Sequence, residues 1–391
     1  MPISYHSPVT ATRHPLSLAL GGLVALAAAV GIGRFVYTPI LPLMAEDLAM
    51  TQGMAGVLVS VNFLGYLTGA LFAATPLLPG SRRTWLISAL TLSALTTGAM
   101  AFAPSNAAFL ALRFVGGVAS AFVLVFASAL VLDRLRAAGR SDLAAVHFAG
   151  VGTGITLSAV LVSSLTALEF GWRSLWLASG LTALVALGLV TRLVPDRVEP
   201  VVLTAHTGQG HRGLMAFVVA YGLFGFGYII TATFLVAIVR ASAEVLAIEP
   251  WVWLVVGLTA APSVALWTWV GGRIGIAQAF ALACVMEAGG VAASVLWLAI
   301  PGVLLAAALL GGTFMGLTAL GLMGAHRLAQ GDPRWTLAVM TAAFGLGQIV
   351  GPTFAGVVYD ATGTLLGPSL TAVGALLVGA LLVMVGSTQA S

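Results

Sequence analysis

Three ionisable side chains lie inside long apolar runs. Arg34 stands in Gly31-Ile32-Gly33-Arg34-Phe35-Val36-Tyr37-Thr38-Pro39-Ile40-Leu41-Pro42-Leu43-Met44, the end of a run that begins near Leu16. Arg113 opens the stretch Arg113-Phe114-Val115-Gly116-Gly117, and Glu287 falls in the middle of a third run. A charge at bilayer depth costs at least ~2.5–3.5 kcal/mol on insertion scales, so each needs a partner, a water-filled cavity or a ligand. A guanidinium fits a carboxylate or phosphate bidentately. Arg34 is therefore read as facing the inside of a helical bundle and binding an anionic group. The alternative is an arginine neutralised by neighbouring carbonyls that holds two helices together. Tyr37, three residues on, shares its helix face and either donates to the same ligand or packs as an aromatic. Glu287 is either a proton carrier, since desolvation favours the protonated carboxyl, or a protonated structural residue. His147 titrates in the useful range and is read as a proton shuttle or as a helix-end histidine. Asn62, Tyr228, Thr231, Thr233 and Gln348 are further polar groups at span depth, suited to a substrate or to interhelical hydrogen bonds.

These side chains need helices to position them. The 391 residues are 60% hydrophobic and only 7% charged, with a mean hydropathy of +1.08. A soluble domain of this size would have too little polar surface to show water. The chain is thus an all-α, polytopic membrane protein. All sixteen basic residues are arginine. The absence of lysine excludes a Walker-A phosphate loop and Schiff-base chemistry. One cysteine, Cys284, excludes a disulfide framework and a thiolate metal site. His206 and His211 are too isolated for a metal site, and no cofactor is implied. The pI near 9.7 reflects topology rather than nucleic acid. Leu18–Val30 resembles a signal-peptide core, but the run continues through Arg34 and has a counterpart later, so no cleavage is expected.

A spanning helix takes about twenty apolar residues. Twelve are predicted: 16–44, 54–78, 84–102, 106–132, 143–168, 174–194, 213–239, 251–271, 275–299, 302–326, 335–358 and 366–386. With the N-terminus cytoplasmic, the inner segments hold twelve arginines, among them Arg13, Arg82, Arg83, Arg197, Arg212 and Arg334. The outer ones hold Arg173 and Arg240. That positive-inside bias places both termini in the cytoplasm, in a cytoplasmic (inner) membrane.

The halves repeat at an offset of about 194 residues: Gly31 with Gly225, Gly116-Gly117 with Gly311-Gly312, Gly152 and Gly154 with Gly345 and Gly347, and Arg134-Leu135 with Arg327-Leu328. Tyr228 stands where Arg34 stands in the first half. Two six-helix bundles related along the membrane normal form a transporter architecture with a site between them. The organisation is then a cytoplasmic tail (1–15), a first bundle (16–194), a central cytoplasmic loop (195–212) and a second bundle (213–391). The strings around Gly152, Gly154, Gly347, Gly351 and Pro352 lie in apolar helices, so they are rocking interfaces between bundles rather than nucleotide loops. Pro39 and Pro42 are expected to bend the outer end of the first helix as a gate, though proline is also simply commoner in membrane helices.

The twelve-helix plan and Arg113-Phe-Val-Gly-Gly-Val-Ala-Ser-Ala resemble the major facilitator superfamily. The first-helix Gly-x-Gly-Arg-Phe-x-Tyr-Thr-Pro-x-Leu-Pro-x-Met resembles its YbfB/YjiJ-type branch. The resemblance implies a secondary transporter working by alternating access. It also implies a proton-coupling role for Arg113, against a structural arginine on backbone carbonyls, and places Glu287 on a helix outside the cavity. One departure stands out: the second-to-third loop reads Gly69-Ala-Leu-Phe-Ala73 then Ser81-Arg82-Arg83, without the usual aspartate. A cytoplasmic latch would then use Asp133 or Asp142.

The first and fourth helices carry no embedded acid, which a site for cationic drugs would need. A small anionic or polar organic solute, moved with protons by a monomer, is favoured over a multidrug or amphiphile exporter. A non-transporting receptor on a transporter fold is the rival from another class. Nothing resembles a selectivity filter or a nucleophile–base pair, so neither a channel nor an enzyme is expected.

Overall fold

A backbone surrounded by lipid must satisfy its own hydrogen bonds, so long apolar runs become helices. The computed structural model describes residues 14–75, 77–195, 211–328 and 333–388. Most of the N-terminal tail with Arg13, and most of the central loop with Arg197 and His206, lie outside the described residues; so do the side chains of His211, Arg212 and Arg334. Twelve helices among the described residues are long and apolar enough to cross a membrane. They are α1 (Pro15–Asp47), α2 (Gln52–Ala73), α3 (Arg82–Phe102), α4 (Asn106–Ala137), α5 (Ser141–Ala167) and α6 (Trp172–Leu193). The second set is α7 (Gly213–Arg240), α8 (Leu246–Ile274), α9 (Ile276–Leu296), α10 (Ile300–Leu328), α11 (Trp335–Thr362) and α12 (Leu366–Ser387). Large apolar side chains such as Leu95, Leu181, Val185, Leu258 and Leu381 are exposed on the outside, as lipid contact requires.

Helices α1–α6 pack on one another, as do α7–α12, and the repeat extends to individual contacts. A Cβ on Gly117 would run into the Asn62 carbonyl, and one on Gly311 into the Val256 carbonyl, so Gly117 corresponds to Gly311, one residue off the Gly117–Gly312 pairing expected from the sequence. The two sets meet chiefly through α2 against α11 and α5 against α8, with the second part of α1 against α7.

Among the described residues, the polar bonds joining the two sets gather towards the end that carries the acidic loops. Asp360, at the end of α11, accepts from the Gln52 and Gly53 amides at the start of α2 at 3.0 and 2.9 Å. Thr353 bonds Ser60 at 2.7 Å, Thr38 donates to the Ala232 carbonyl at 2.8 Å, and Arg240 lies 3.6 Å from Glu46. At the arginine-rich end, Asp133 pairs with Arg82 and Arg136 (3.3 and 3.5 Å), and Asp142 with Arg140 (2.9 Å). Those ion pairs stay within the first bundle, so neither aspartate latches the two bundles together in this conformation.

Candidate functional site between the bundles

The first helix is broken at its centre. It is α-helical over Pro15–Leu26, π-helical over Ala27–Ile32, turns through 33–36, and resumes as Tyr37–Asp47. Proline lacks an N–H, and its ring clashes with the carbonyl four residues back. Pro39 is therefore tolerated where the helix restarts, in its first turn. The irregular stretch of the helix lies upstream of Pro39 and Pro42, over 27–36, with Arg34 inside it. Pro42 stands inside the resumed helix.

Arg34 is buried and donates from Nη2 to Ser120 Oγ at 2.8 Å. Its Cζ lies 4.0 Å from the Tyr66 ring centroid and 5.2 Å from that of Phe63. Arg113 approaches the same broken segment from α4. Its two terminal nitrogens point at the carbonyls of Gly33 and Arg34 at 3.5 and 3.4 Å, and its Cζ lies 4.9 Å from the Tyr37 ring centroid. Both Nε atoms are buried without a partner. Among the described residues no carboxylate lies within ion-pair distance of either arginine. Both line one cavity of ≈ 10 Å³ at the seam between bundles, closed on the other side by Ile229, Ala232 and Thr233 of α7. That volume holds about one water. The arginines thus share a positive, nearly dry pocket.

The other candidates divide. Tyr37 spends its hydroxyl on the Ala55 carbonyl at 3.0 Å and offers its ring to Arg113. Asn62 holds the Arg113 carbonyl at 2.7 Å, leaving its Oδ1 without a partner. Gln348 donates to the Tyr228 hydroxyl at 2.5 Å, and Tyr228 lies within electrostatic reach of Arg34. Thr231 is buried with an unpartnered hydroxyl, whereas Thr233 bonds its own helix at Ile229. Glu287 does not line the cavity but lies within electrostatic reach of Tyr228, fully buried between α9 and α10; Thr313 donates to one oxygen and the other has no partner. His147 is remote, sealed against α1 at Gly22 and 3.0 Å from Ser128 Oγ.

The glycine strings split by face. Residues four apart share a helix face, whereas residues two apart do not. Gly152 meets Ala260 and Ala261 of α8, across the seam, while Gly154 meets Ala27 of α1 within its own bundle. Gly347 and Gly351 face α7, again within one bundle, and the Pro352 carbonyl meets Gly56 of α2 across the seam. Of the five residues expected at an interface between the bundles, Gly152 and Pro352 thus contact the opposite bundle. Sequence reading missed Phe63, Tyr66 and Ser120. Ser120 stands two turns after Arg113 and Tyr66 one turn after Asn62, which is the only signal they leave.

Two pseudo-equivalent sets of six membrane helices with a polar pocket at their seam define the major facilitator fold. The crystal structure of a point mutant of the nucleoside transporter NupG superposes with a TM-score of 0.73 over 95% of this chain and 99% of that one, at 15% identity. The profile of the family described as "Uncharacterised MFS-type transporter YbfB" matches residues 26–384, and the chain belongs to that family. It is 30% identical to the niacin transporter NiaP of Acinetobacter baylyi over 183 residues, 46% of this chain and 40% of that protein. It is 25% identical to the gentisate transporter of Corynebacterium glutamicum over 168 residues, 42% and 38% of the two chains. The similarity therefore spans less than half the length of these relatives.

Proposed function

We propose that the chain is a secondary transporter that carries a small organic anion through the membrane by alternating access, coupled to protons. The observation that carries this reading is the pair Arg34 and Arg113 in one seam cavity with no carboxylate beside them among the described residues. Two guanidiniums without a counter-charge in a nearly dry pocket are costly, and an anionic ligand offsets that cost. Niacin and gentisate, named for two relatives, are both carboxylic acids, which supports the same sign of charge. A cationic-drug exporter would need an acid where this pocket has none.

The polar seal at the acid-rich end and the positive-inside bias together support a conformation closed to the outside. The protein is then a multi-pass inner-membrane monomer with both termini cytoplasmic. Uptake of labelled nicotinate into proteoliposomes, with and without a pH gradient, tests the reading. Ligand binding without flux would favour a receptor instead.

Two expectations follow for residues outside the pocket. Asp360→Ala removes the carboxylate that caps α2 from the opposite bundle, worth about 1 kcal/mol. Labelling of a cysteine at Ser60, in a Cys284→Ser background, should rise roughly fivefold from the outside. Glu287→Gln removes the carboxyl that can carry a proton. Its uptake should lose pH dependence while exchange of substrate persists; an unchanged pH profile clears Glu287 of coupling.

A further inference from the structure

Next to the arginine cavity lies a second, closed hollow with no space for a water in this conformation, sharing Phe35 and Ala232 with it. Its wall is built of rings. Phe35 packs on Trp253 and Phe314 at centroid distances of 6.4 and 5.9 Å, and Tyr228 lies nearly parallel to Phe314, 5.7 Å away with planes 7° apart. Trp253 is 2% exposed, yet its indole N–H has no hydrogen-bond partner. Buried donors are normally satisfied, and one left open calls for an acceptor. A positive pocket therefore adjoins an aromatic cluster that includes a tryptophan with an unpartnered indole N–H.

Resting on the anion-transport reading, we propose that the solute is a flat aromatic carboxylate bearing a second acceptor. Its carboxylate sits on Arg34, its ring enters the box of Phe35, Tyr228, Trp253 and Phe314, and a ring hydroxyl or ring nitrogen accepts from the Trp253 indole. Neither space holds a ring in this conformation, so Phe35, which lines both, must swing aside and the seam must part to admit it. Trp253 is then a specificity-determining residue. An aliphatic carboxylate would satisfy the arginines but forgo ring stacking. A bare benzoate would stack but leave the indole unpaired, which is how polar pockets reject analogues.

Three probes on the purified full chain separate these outcomes: 3-hydroxybenzoate, benzoate and cyclohexanecarboxylate, ranked by displacement and thermal stabilisation. Affinity should fall in that order, by roughly three- to tenfold at each step. Trp253→Phe should erase the preference for the hydroxyl and keep that for the ring. Phe314→Leu should shrink the ring preference and keep that for the hydroxyl. Cyclohexanecarboxylate binding as tightly as benzoate overturns the aromatic box while leaving an anion site intact. A hydroxyl preference that survives Trp253→Phe overturns the role of the indole. Should none of the three bind, the aromatic-carboxylate proposal falls, and nicotinate uptake alone then decides the anion reading.

Discussion

Arg34→Ala is expected to cut initial uptake in proteoliposomes by roughly a hundredfold or more. Truncating one partner of a buried, hydrogen-bonded charge pair typically costs about 2–5 kcal/mol. Here the partner left unpaired is the substrate's anion, while Ser120 and Tyr66, which hold the guanidinium in place, remain. Arg34→Lys should restore transport only in part. An ammonium keeps the charge but offers neither the planar fork for a carboxylate nor the flat cation that stacks on Tyr66. The neighbouring arginine supplies a control. Arg113 points at the carbonyls of the broken segment, so Arg113→Ala should lower thermal stability as well as transport. Arg34→Ala should leave stability near wild type. Wild-type uptake by Arg34→Ala would remove the anion site from the proposal.

The architecture was legible because burial in lipid leaves so few options. Helix positions agree to within a few residues over most spans: 213–239 against Gly213–Arg240, 106–132 against Asn106–Ala137. The second span shows the limit. Its helix begins at Gln52, where the Thr51 hydroxyl accepts from the Met54 amide, and ends at Ala73 rather than 78. Hydropathy sees neither a cap nor a helix end that stays apolar. The repeat was visible because a close helix crossing fixes glycine, though its register at this pair was read one residue off: Gly117 and Gly311, not Gly312, serve the same crossing in each half.

Side-chain direction was not legible. In a soluble helix the polar stripe marks the face that is not the core. Here the lipid face and the packed face are equally apolar, so Phe63 and Tyr66 carry no mark of their place beside Arg34. The same loss of contrast hid which of Gly152 and Gly154 crosses the seam. The position of the break in α1 was obscured for a different reason. Proline announces where a helix restarts, and the chain upstream absorbs the distortion as a π-helical turn.

Gly152 should show the other large effect, because there the two bundles touch backbone to backbone. A Cβ at this position would lie 2.6 Å from the Ala260 carbonyl carbon and the Ala261 Cα. The contact is reciprocal: a Cβ on Gly257 of α8 would lie 2.8 Å from the Thr156 Cα of α5. No side-chain rotation relieves a clash between two main chains, so α5 and α8 must separate at this crossing near the middle of both helices, which disfavours the packed conformation. Gly152→Val is therefore expected to trap the transporter open towards the acid-rich end. Uptake should fall by roughly a hundredfold, since a population shift of about 3 kcal/mol already leaves the sealed state under one per cent. A cysteine at Ser60, buried in the sealed conformation, should become freely labelled from outside. Gly154→Val makes the contrast, because its clash is with Ala27 inside the first bundle. That variant should lose thermal stability without gaining outside labelling at Ser60. If Gly152→Val transports normally, α5 and α8 do not part at this crossing during the cycle, and the seam must open elsewhere.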